Sequence, residues 1–172
     1  MSTDIGKVFE KQLEAVFKQL KASHLLGWHR FTDSSSAGGA FVGDQPSDYL
    51  IGLPPGGRPE QRLFHLEAKA SESHSKLQKA MVRPAQRGAI NFYGHLLQMP
   101  YFILFWDVKG SRLEMWSGTE ALSNSRSKAY ECTWGKVSTG RKLNTDLVAC
   151  HLADFFRLPT AAQTLQDYEE PQ

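Results

Sequence analysis

Two carboxylates and a lysine, at Asp48, Glu67 and Lys69, are the residues whose types and spacing could do chemistry. Glu67 and Lys69 are two apart in a predicted strand and therefore point to the same side of a sheet. Two converging carboxylates repel each other and require a cation, and hard oxygen ligands without a His or Cys cluster favour Mg²⁺ or Mn²⁺. Because a lysine beside such a cation can stabilise charge on a phosphate, the set indicates metal-dependent phosphodiester hydrolysis.

The elements that must position these residues are two predicted strands joined by a turn. Residues 47–53 and 61–70 have strand-like composition, and the Pro- and Gly-rich residues 54–59 separate them. In the second strand the alternation places on one face Leu63, His65, Glu67 and Lys69, and on the other Phe64, Leu66, Ala68 and Ala70. A hairpin would bring Asp48, at the start of the first strand, alongside Glu67.

Helices are predicted on both sides of this hairpin. Apolar residues recur at helical spacing over residues 5–20, which puts Glu10 on the rim of the apolar face and Glu14 further into solvent. Pro84 opens a second helix that carries Gln86 and runs to residue 97. Strands at 101–108, apolar on both faces and therefore central, and at 112–117 precede helices at 119–130 and 145–158. This order predicts one α/β domain, residues 1–160, with a mixed central sheet flanked by helices, and a polar tail at 161–172.

Composition excludes several classes of protein. The 172 residues are 41% hydrophobic with a net charge of +2, ordinary values for a globular domain. No apolar run approaches the roughly 20 residues of a membrane span, so no membrane partner is expected. The N-terminus lacks an apolar signal core, which favours the cytoplasm (the host cytoplasm for a viral protein) and reduced thiols at Cys132 and Cys150.

Four segments together resemble a known family. They are GKVFE (residues 6–10), QPSDYLIG (45–52), FHLEAKAS (64–71) and Pro84-Ala85-Gln86 before the apolar YFILFW (101–106). In this order they resemble the PD-(D/E)xK nucleases, and among these the Holliday junction resolvases of the bacterial RecU type and the archaeal Hjc type. The resemblance spans about the first 110 residues. The short interval 31–46, rich in Ser and Gly, is more similar to the archaeal type than to the long stalk of the RecU type.

The resemblance implies a role for each motif residue. Asp48 and Glu67 would bind the metal with the Ala68 carbonyl, Lys69 would be catalytic, Glu10 would complete the acidic cluster, and Gln86 would support the site. It also implies a homodimer, because a four-way DNA junction is cut symmetrically on two strands. Apolar residues outside an obvious core could form the interface, namely Phe41, Val42, Tyr93, Leu96 and Leu97.

Basic and polar residues near these motifs are the candidates for DNA contact. They are Arg30, Ser35, Lys76, Lys79, Arg83, Arg87, Arg141 and Lys142. A solvated surface explains the same charges equally well. The segment GKVSTGRK (135–142) lacks the Lys-Ser/Thr pair and the preceding strand of a phosphate-binding loop, so no nucleotide cofactor is expected.

Three alternatives stay open from the sequence. A sequence-specific or repair endonuclease would share the same core as a junction resolvase. A DNA-binding module without catalysis would also carry the basic segments. Finally, Glu67 and Lys69 could be no more than an ion pair on an exposed strand.

Overall fold

A mixed sheet with helices on both faces organises the chain. The computed structural model describes residues 4–23, 25–31, 45–54, 62–123 and 130–158. The strands are, in spatial as well as chain order, β1 (Gly27–Arg30), β2 (Tyr49–Gly52), β3 (Leu63–Ser71), β4 (Tyr101–Asp107), β5 (Arg112–Ser117) and β6 (Cys132–Trp134). Only the β3–β4 pair is parallel within this sheet, and the other pairs are antiparallel. The predicted α/β fold with a mixed central sheet is confirmed.

Four α-helices, a short 3-10 helix (Lys79–Met81), a π-helical turn (Phe92–Leu96) and a small hairpin complete the described elements. The helices are α1 (Ile5–Ala22), α2 (Pro84–Asn91), α3 (Gly118–Leu122) and α4 (Thr145–Phe155). The hairpin consists of β7 (Ser138–Thr139) and β8 (Lys142–Leu143), and it turns at Gly140, whose φ of 53° suits glycine. The GKVSTGRK segment is thus a β-hairpin. Within the described residues, no helix is long and apolar enough to cross a membrane.

The first helix forms because its N-terminus is capped and one of its faces is apolar. The Asp4 carboxylate accepts a hydrogen bond from the Gly6 N–H at 2.9 Å, which satisfies one free donor of the first turn. The buried face consists of Phe9, Leu13, Val16, Phe17 and Leu20. This face packs on β3 and α4 and builds the larger of two hydrophobic clusters.

The alternation of β3 assigns its side chains to two different environments. Phe64, Leu66 and Ala68 belong to the larger cluster, on the face that α1 covers. Glu67 and Lys69 point to the opposite face. On that face Tyr101 and Ile103 of β4 form the second hydrophobic cluster. Its other buried members are Ile90 of α2 and Val82, just before α2. The candidate catalytic residues therefore face α2, and α1 lies on the other side of the sheet.

The parallel pairing of β3 with β4 requires a crossover, and residues 72–100 provide it. This crossover contains α2, which brings Gln86 over the face that carries Glu67. The strand β4 is buried along its whole length between β3 and β5, as its apolar sequence predicts.

Some predicted boundaries were wrong. The helix predicted to residue 97 ends as an α-helix at Asn91 and continues as a π-helical turn (Phe92–Leu96), in which the Leu97 N–H donates to the Phe92 carbonyl. The helix predicted over 119–130 ends at Leu122, because Ser123 is extended. The strands β1 and β6 and the small hairpin are too short to give a periodic signal. The tail, 161–172, and Ser35, Phe41 and Val42 lie outside the described residues.

Candidate active site

Asp48 and Glu67 are brought together where β2 begins beside β3. Tyr49 pairs with Leu66, so Asp48 stands one position beyond the pairing. The Asp48 N–H donates to Glu67 Oε2 at 3.1 Å, and the Ala68 N–H donates to Asp48 Oδ2 at 2.8 Å. Each carboxylate therefore accepts a backbone hydrogen bond from the other residue's strand. Glu67 is only 2% exposed.

The Ala68 carbonyl lies on the same edge of β3 as this carboxylate pair. The N–H and C=O of one strand residue leave the strand on the same edge, and the Ala68 N–H points to Asp48. Because β2 begins at Tyr49, opposite Leu66, the Ala68 carbonyl lies beyond the last residue pair of the β2–β3 ladder. Three oxygen-bearing groups thus lie at one end of β2: two carboxylates and one backbone carbonyl.

Lys69 and Gln86 both contact the buried Glu67. Lys69 Nζ lies 2.7 Å from Glu67 Oε1, and its side chain is 18% exposed. The Gln86 side-chain amide donates to the same oxygen, while its own Oε1 accepts from the Arg83 N–H at 3.0 Å. Gln86 is therefore fixed both by the N-terminus of α2 and by Glu67. The two residues predicted to serve the site lie against Glu67.

Burial is the dominant electrostatic influence on Glu67. Loss of hydration, reinforced by the charge of Asp48, raises the pKa of Glu67 to about 7, although Lys69 and Arg83 oppose the rise. Burial, followed by the charges of Glu67 and Asp48, also raises the pKa of the Tyr101 hydroxyl, which stays protonated as a donor. The site therefore has a deficit of positive charge that Lys69 and Arg83 do not remove.

These ligands fit a small divalent cation. Mg²⁺ is usually held by one or two carboxylates, with water and substrate phosphates completing its shell, and does not need a cage of protein ligands. Within the described part of the chain, no group of three His, Cys, Asp or Glu side chains could hold a metal ion. A cation next to Asp48 would lower the raised pKa of Glu67, and Lys69 would then be available to another anion.

Glu10, predicted to complete the acidic cluster, forms an ion pair with Arg30. Arg30 lies opposite Tyr49 in the β1–β2 ladder, and the Tyr49 ring packs on Phe17 of α1. The Arg30 guanidinium contacts Glu10 at 2.6 Å and Glu14 at 2.5 Å on that face. Glu10 has the expected rim position, but the prediction that Glu14 lies further into solvent was wrong, since its side chain is 18% exposed against 21% for Glu10.

The basic residues near α2 are solvent-accessible. Lys76, Lys79 and Arg83 are exposed, and Arg83 acts on the charge of Glu67 from the N-cap of α2. Arg87 donates to the carbonyls of Val82 and Lys79, which ties down the turn before α2. The chain before α2 therefore carries several exposed positive charges, of which Arg83 acts on Glu67.

Arg141 has a partner that the sequence did not indicate. Its guanidinium makes two hydrogen bonds, of 2.6 and 2.7 Å, to the Glu72 carboxylate. The pair links the turn of the β7–β8 hairpin to the chain just after β3. Lys142, the neighbouring candidate, is exposed. Charge counting along the sequence could not identify the Glu72 contact, because 69 positions separate the two residues.

Sequence reasoning missed a buried polar network below Asp48. Ser47 Oγ lies 2.9 Å from His65 Nδ1, and the Tyr101 hydroxyl donates to the Pro46 carbonyl at 2.6 Å. The His65 ring also packs 4.2 Å from the Tyr93 ring. Burial lowers the pKa of His65 to about 4, so the ring is neutral at pH 7. The only signal in the sequence was the place of His65 on the same strand face as Glu67.

The chain has a partial likeness to solved structures. No protein-family model and no curated protein matches the chain. The solved structure of Hjc from Archaeoglobus fulgidus, a Holliday junction resolvase from an archaeal hyperthermophile, aligns with 84% of this chain and 99% of its own. The TM-score is 0.44 and the sequence identity 12%. These values do not show membership of a family.

Proposed function

We propose that this protein is a metal-dependent endonuclease that hydrolyses DNA phosphodiesters at Asp48, Glu67 and Lys69. The observation that carries the proposal is the buried Glu67 carboxylate beside the half-buried Asp48 carboxylate, held by reciprocal backbone hydrogen bonds, with a lysine ammonium 2.7 Å from one oxygen of Glu67. A buried acid beside a second acid is unfavourable unless a cation or a proton compensates the charge. Such an arrangement has a chemical use where the compensating cation also acts on a substrate.

Each residue of the site has its own role in the proposed reaction. Asp48, Glu67 and the Ala68 carbonyl would hold Mg²⁺, or Mn²⁺ in its place. When bound, the cation supplies the positive charge that polarises a phosphate and favours ionisation of water. Gln86 keeps the Glu67 carboxylate oriented. Lys69, with three N–H donors, orients the attacking water or binds a phosphate oxygen as negative charge develops.

A positive edge beside the site supports DNA as the substrate. Arg83 at the start of α2, with Lys76 and Lys79 just before it, is exposed on the side of the sheet that carries Glu67. Contacts of this kind supply most of the affinity for nucleic acid without reading its sequence. We propose that Arg87 lies on the same phosphate path, and that Arg141 and Lys142 contact phosphates from the hairpin that Gln12 of α1 contacts.

Branched DNA cut by a homodimer is the specific form of this proposal. Separation of a four-way junction requires cuts on two opposed strands, and two sites related by a twofold axis make both cuts. On the π-helical turn and the residue after it, three apolar side chains are exposed: Phe92 at 48%, Leu96 at 69% and Leu97 at 53%. These residues, with Tyr93, are the proposed contact between subunits.

The experiment compares cleavage of a four-way junction with cleavage of a linear duplex of the same arms, in Mg²⁺ and in EDTA. Wild type should cut the junction only with the metal, and Lys69→Ala should lose at least about a hundredfold in rate, as expected for removal of one electrostatic catalyst. Lys18→Ala, an exposed lysine on α1, is the matched control and should cut like wild type.

Two results would contradict the proposal in separable ways. Equal cutting of duplex and junction would remove the junction preference and leave a duplex endonuclease. Metal-independent DNA binding with no cleavage of any substrate, in wild type and Lys69→Ala alike, would identify a binding module instead.

A further inference from the structure

We propose that Ser47 and Tyr101 are positioning residues that fix the Asp48 carboxylate for its cation, with His65 completing the network. The inference rests on the proposed function, because it concerns the geometry of the same metal site. Neither hydroxyl touches Glu67 or Lys69 by a hydrogen bond in this structure. Both instead hold the backbone on which Asp48 stands.

The segment before β2 is tied at each residue around Asp48. The Tyr101 hydroxyl donates to the Pro46 carbonyl at 2.6 Å. The Ser47 hydroxyl donates to the Tyr49 carbonyl at 2.9 Å. The Asp48 carbonyl itself accepts from the Phe31 N–H at 3.0 Å. Asp48 therefore has little freedom to rotate away from Glu67, although no regular strand pairing holds it.

The donor in the Ser47–His65 hydrogen bond can be identified from the other contact of Ser47. A serine hydroxyl has a single proton, and that of Ser47 is used towards Tyr49. His65 Nδ1, at 2.9 Å, must then carry the proton and donate to Ser47 Oγ. The hydrogen bonds thus run from His65 through Ser47 to the Tyr49 carbonyl, and they connect the two residues that flank Asp48 in the chain.

Because these hydrogen bonds are buried, their loss would be costly. Ser47, His65 and Tyr101 are 3%, 3% and 4% exposed, so water cannot replace a lost partner without rearrangement. Tyr101 opens β4 opposite His65 in the parallel ladder, which sets both rings below the metal ligands. A displaced Pro46–Ser47 backbone would carry the Asp48 carboxylate out of reach of the Ala68 N–H.

The test uses Ser47→Ala, Tyr101→Phe and the double variant, each of which removes only a hydroxyl. Ser111→Ala is the matched control, since its hydroxyl donates to the Ser138 carbonyl at 2.6 Å and accepts from the Ser138 N–H in the small hairpin region. Two readouts are needed: exchange of the Ala68 amide proton in metal-free protein by NMR, and Mg²⁺ affinity by calorimetry.

The double variant should exchange the Ala68 amide about fivefold faster than wild type, since the Asp48 acceptor moves away. It should bind Mg²⁺ about tenfold more weakly, in the range known for residues that orient metal ligands. Ser111→Ala should change neither quantity. Variants that lose only as much stability as Ser111→Ala, with unchanged Ala68 exchange and unchanged Mg²⁺ affinity, would overturn the positioning role.

The two proposals fail differently. If wild type bound no Mg²⁺ but Ala68 exchange still responded to the hydroxyls, the metal-dependent function would fall and the fixing of Asp48 would stand. If wild type bound Mg²⁺ and neither readout responded, the positioning role alone would fall. Tyr101→Phe retains the buried ring, so it gives an answer even where the double variant does not fold.

Discussion

The loss of the Glu67 proton should make the metal-free protein less stable as pH rises from about 4.5 to above 7. Its pKa is raised from 4.5 to about 7 in the folded protein, so in this interval the folded chain binds more protons than the unfolded chain. Stability falls with pH wherever the folded state holds the extra proton. A difference of 2.5 in pKa, at about 1.36 kcal/mol for each unit, gives a loss of about 3 kcal/mol.

His65 acts in the opposite direction over much of the same range. Its folded pKa of about 4 lies below its usual 6.5, so its burial lowers stability in acid and this loss disappears as pH rises through 6.5. The pH dependence of wild type alone would mix the two effects. The free energy of unfolding of wild type minus that of Glu67→Gln cancels His65, because both proteins contain it.

The assay is urea unfolding in EDTA, followed by tryptophan fluorescence, at intervals from pH 4.5 to 8.5. The difference between wild type and Glu67→Gln should fall by up to about 3 kcal/mol across the series. Lys69→Met should deepen the fall, since the lysine ammonium favours the Glu67 carboxylate. Saturating Mg²⁺ should restore the stability of wild type above pH 7, because the cation binds only the ionised carboxyl.

The outcome that would refute this reasoning is a difference that stays constant with pH. It would mean that Lys69 and Gln86 fully compensate the buried charge of Glu67. A cation would then not be needed for electrostatic balance, and the argument for a metal at this site would lose its physical basis.

Three further predictions concern the rest of the chain. Glu72→Ala should release Arg141 and steepen the salt dependence of DNA binding by roughly 0.9 in the logarithmic slope, measured by anisotropy between 50 and 200 mM salt. An unchanged slope would mean that Arg141 does not contact DNA. Gly118→Ala should cost about 1–3 kcal/mol in thermal unfolding, because its Cβ would lie 2.9 Å from an isoleucine methyl of α2, whereas Gly88→Ala, with no atom within 4 Å, should be neutral or stabilising. Light scattering should give twice the chain mass of 19.3 kDa for wild type and the single mass for Leu96→Glu, and a monomeric wild type would contradict the proposed dimer.

Local pattern was enough to predict the part of the site that lies on one strand. Because side chains alternate along a strand, Glu67 and Lys69 had to share a face whatever the rest of the chain did. The Pro- and Gly-rich turn made an antiparallel neighbour for β3 the simplest solution, and it placed Asp48 beside Glu67. The buried apolar run of β4 similarly predicted a central strand and, with it, a mixed sheet.

Only the tertiary structure decided which distant groups meet. The ion pair between Glu10 and Arg30 could not be read from the sequence, because it forms only once β1 sets Arg30 on the sheet face that α1 covers. Arg141 likewise meets Glu72 through the placement of a two-stranded hairpin that has no periodic signal. The partners of a long polar side chain depend on which elements pack against each face and edge. Periodicity along the chain sets the face of each residue but not its neighbours across space.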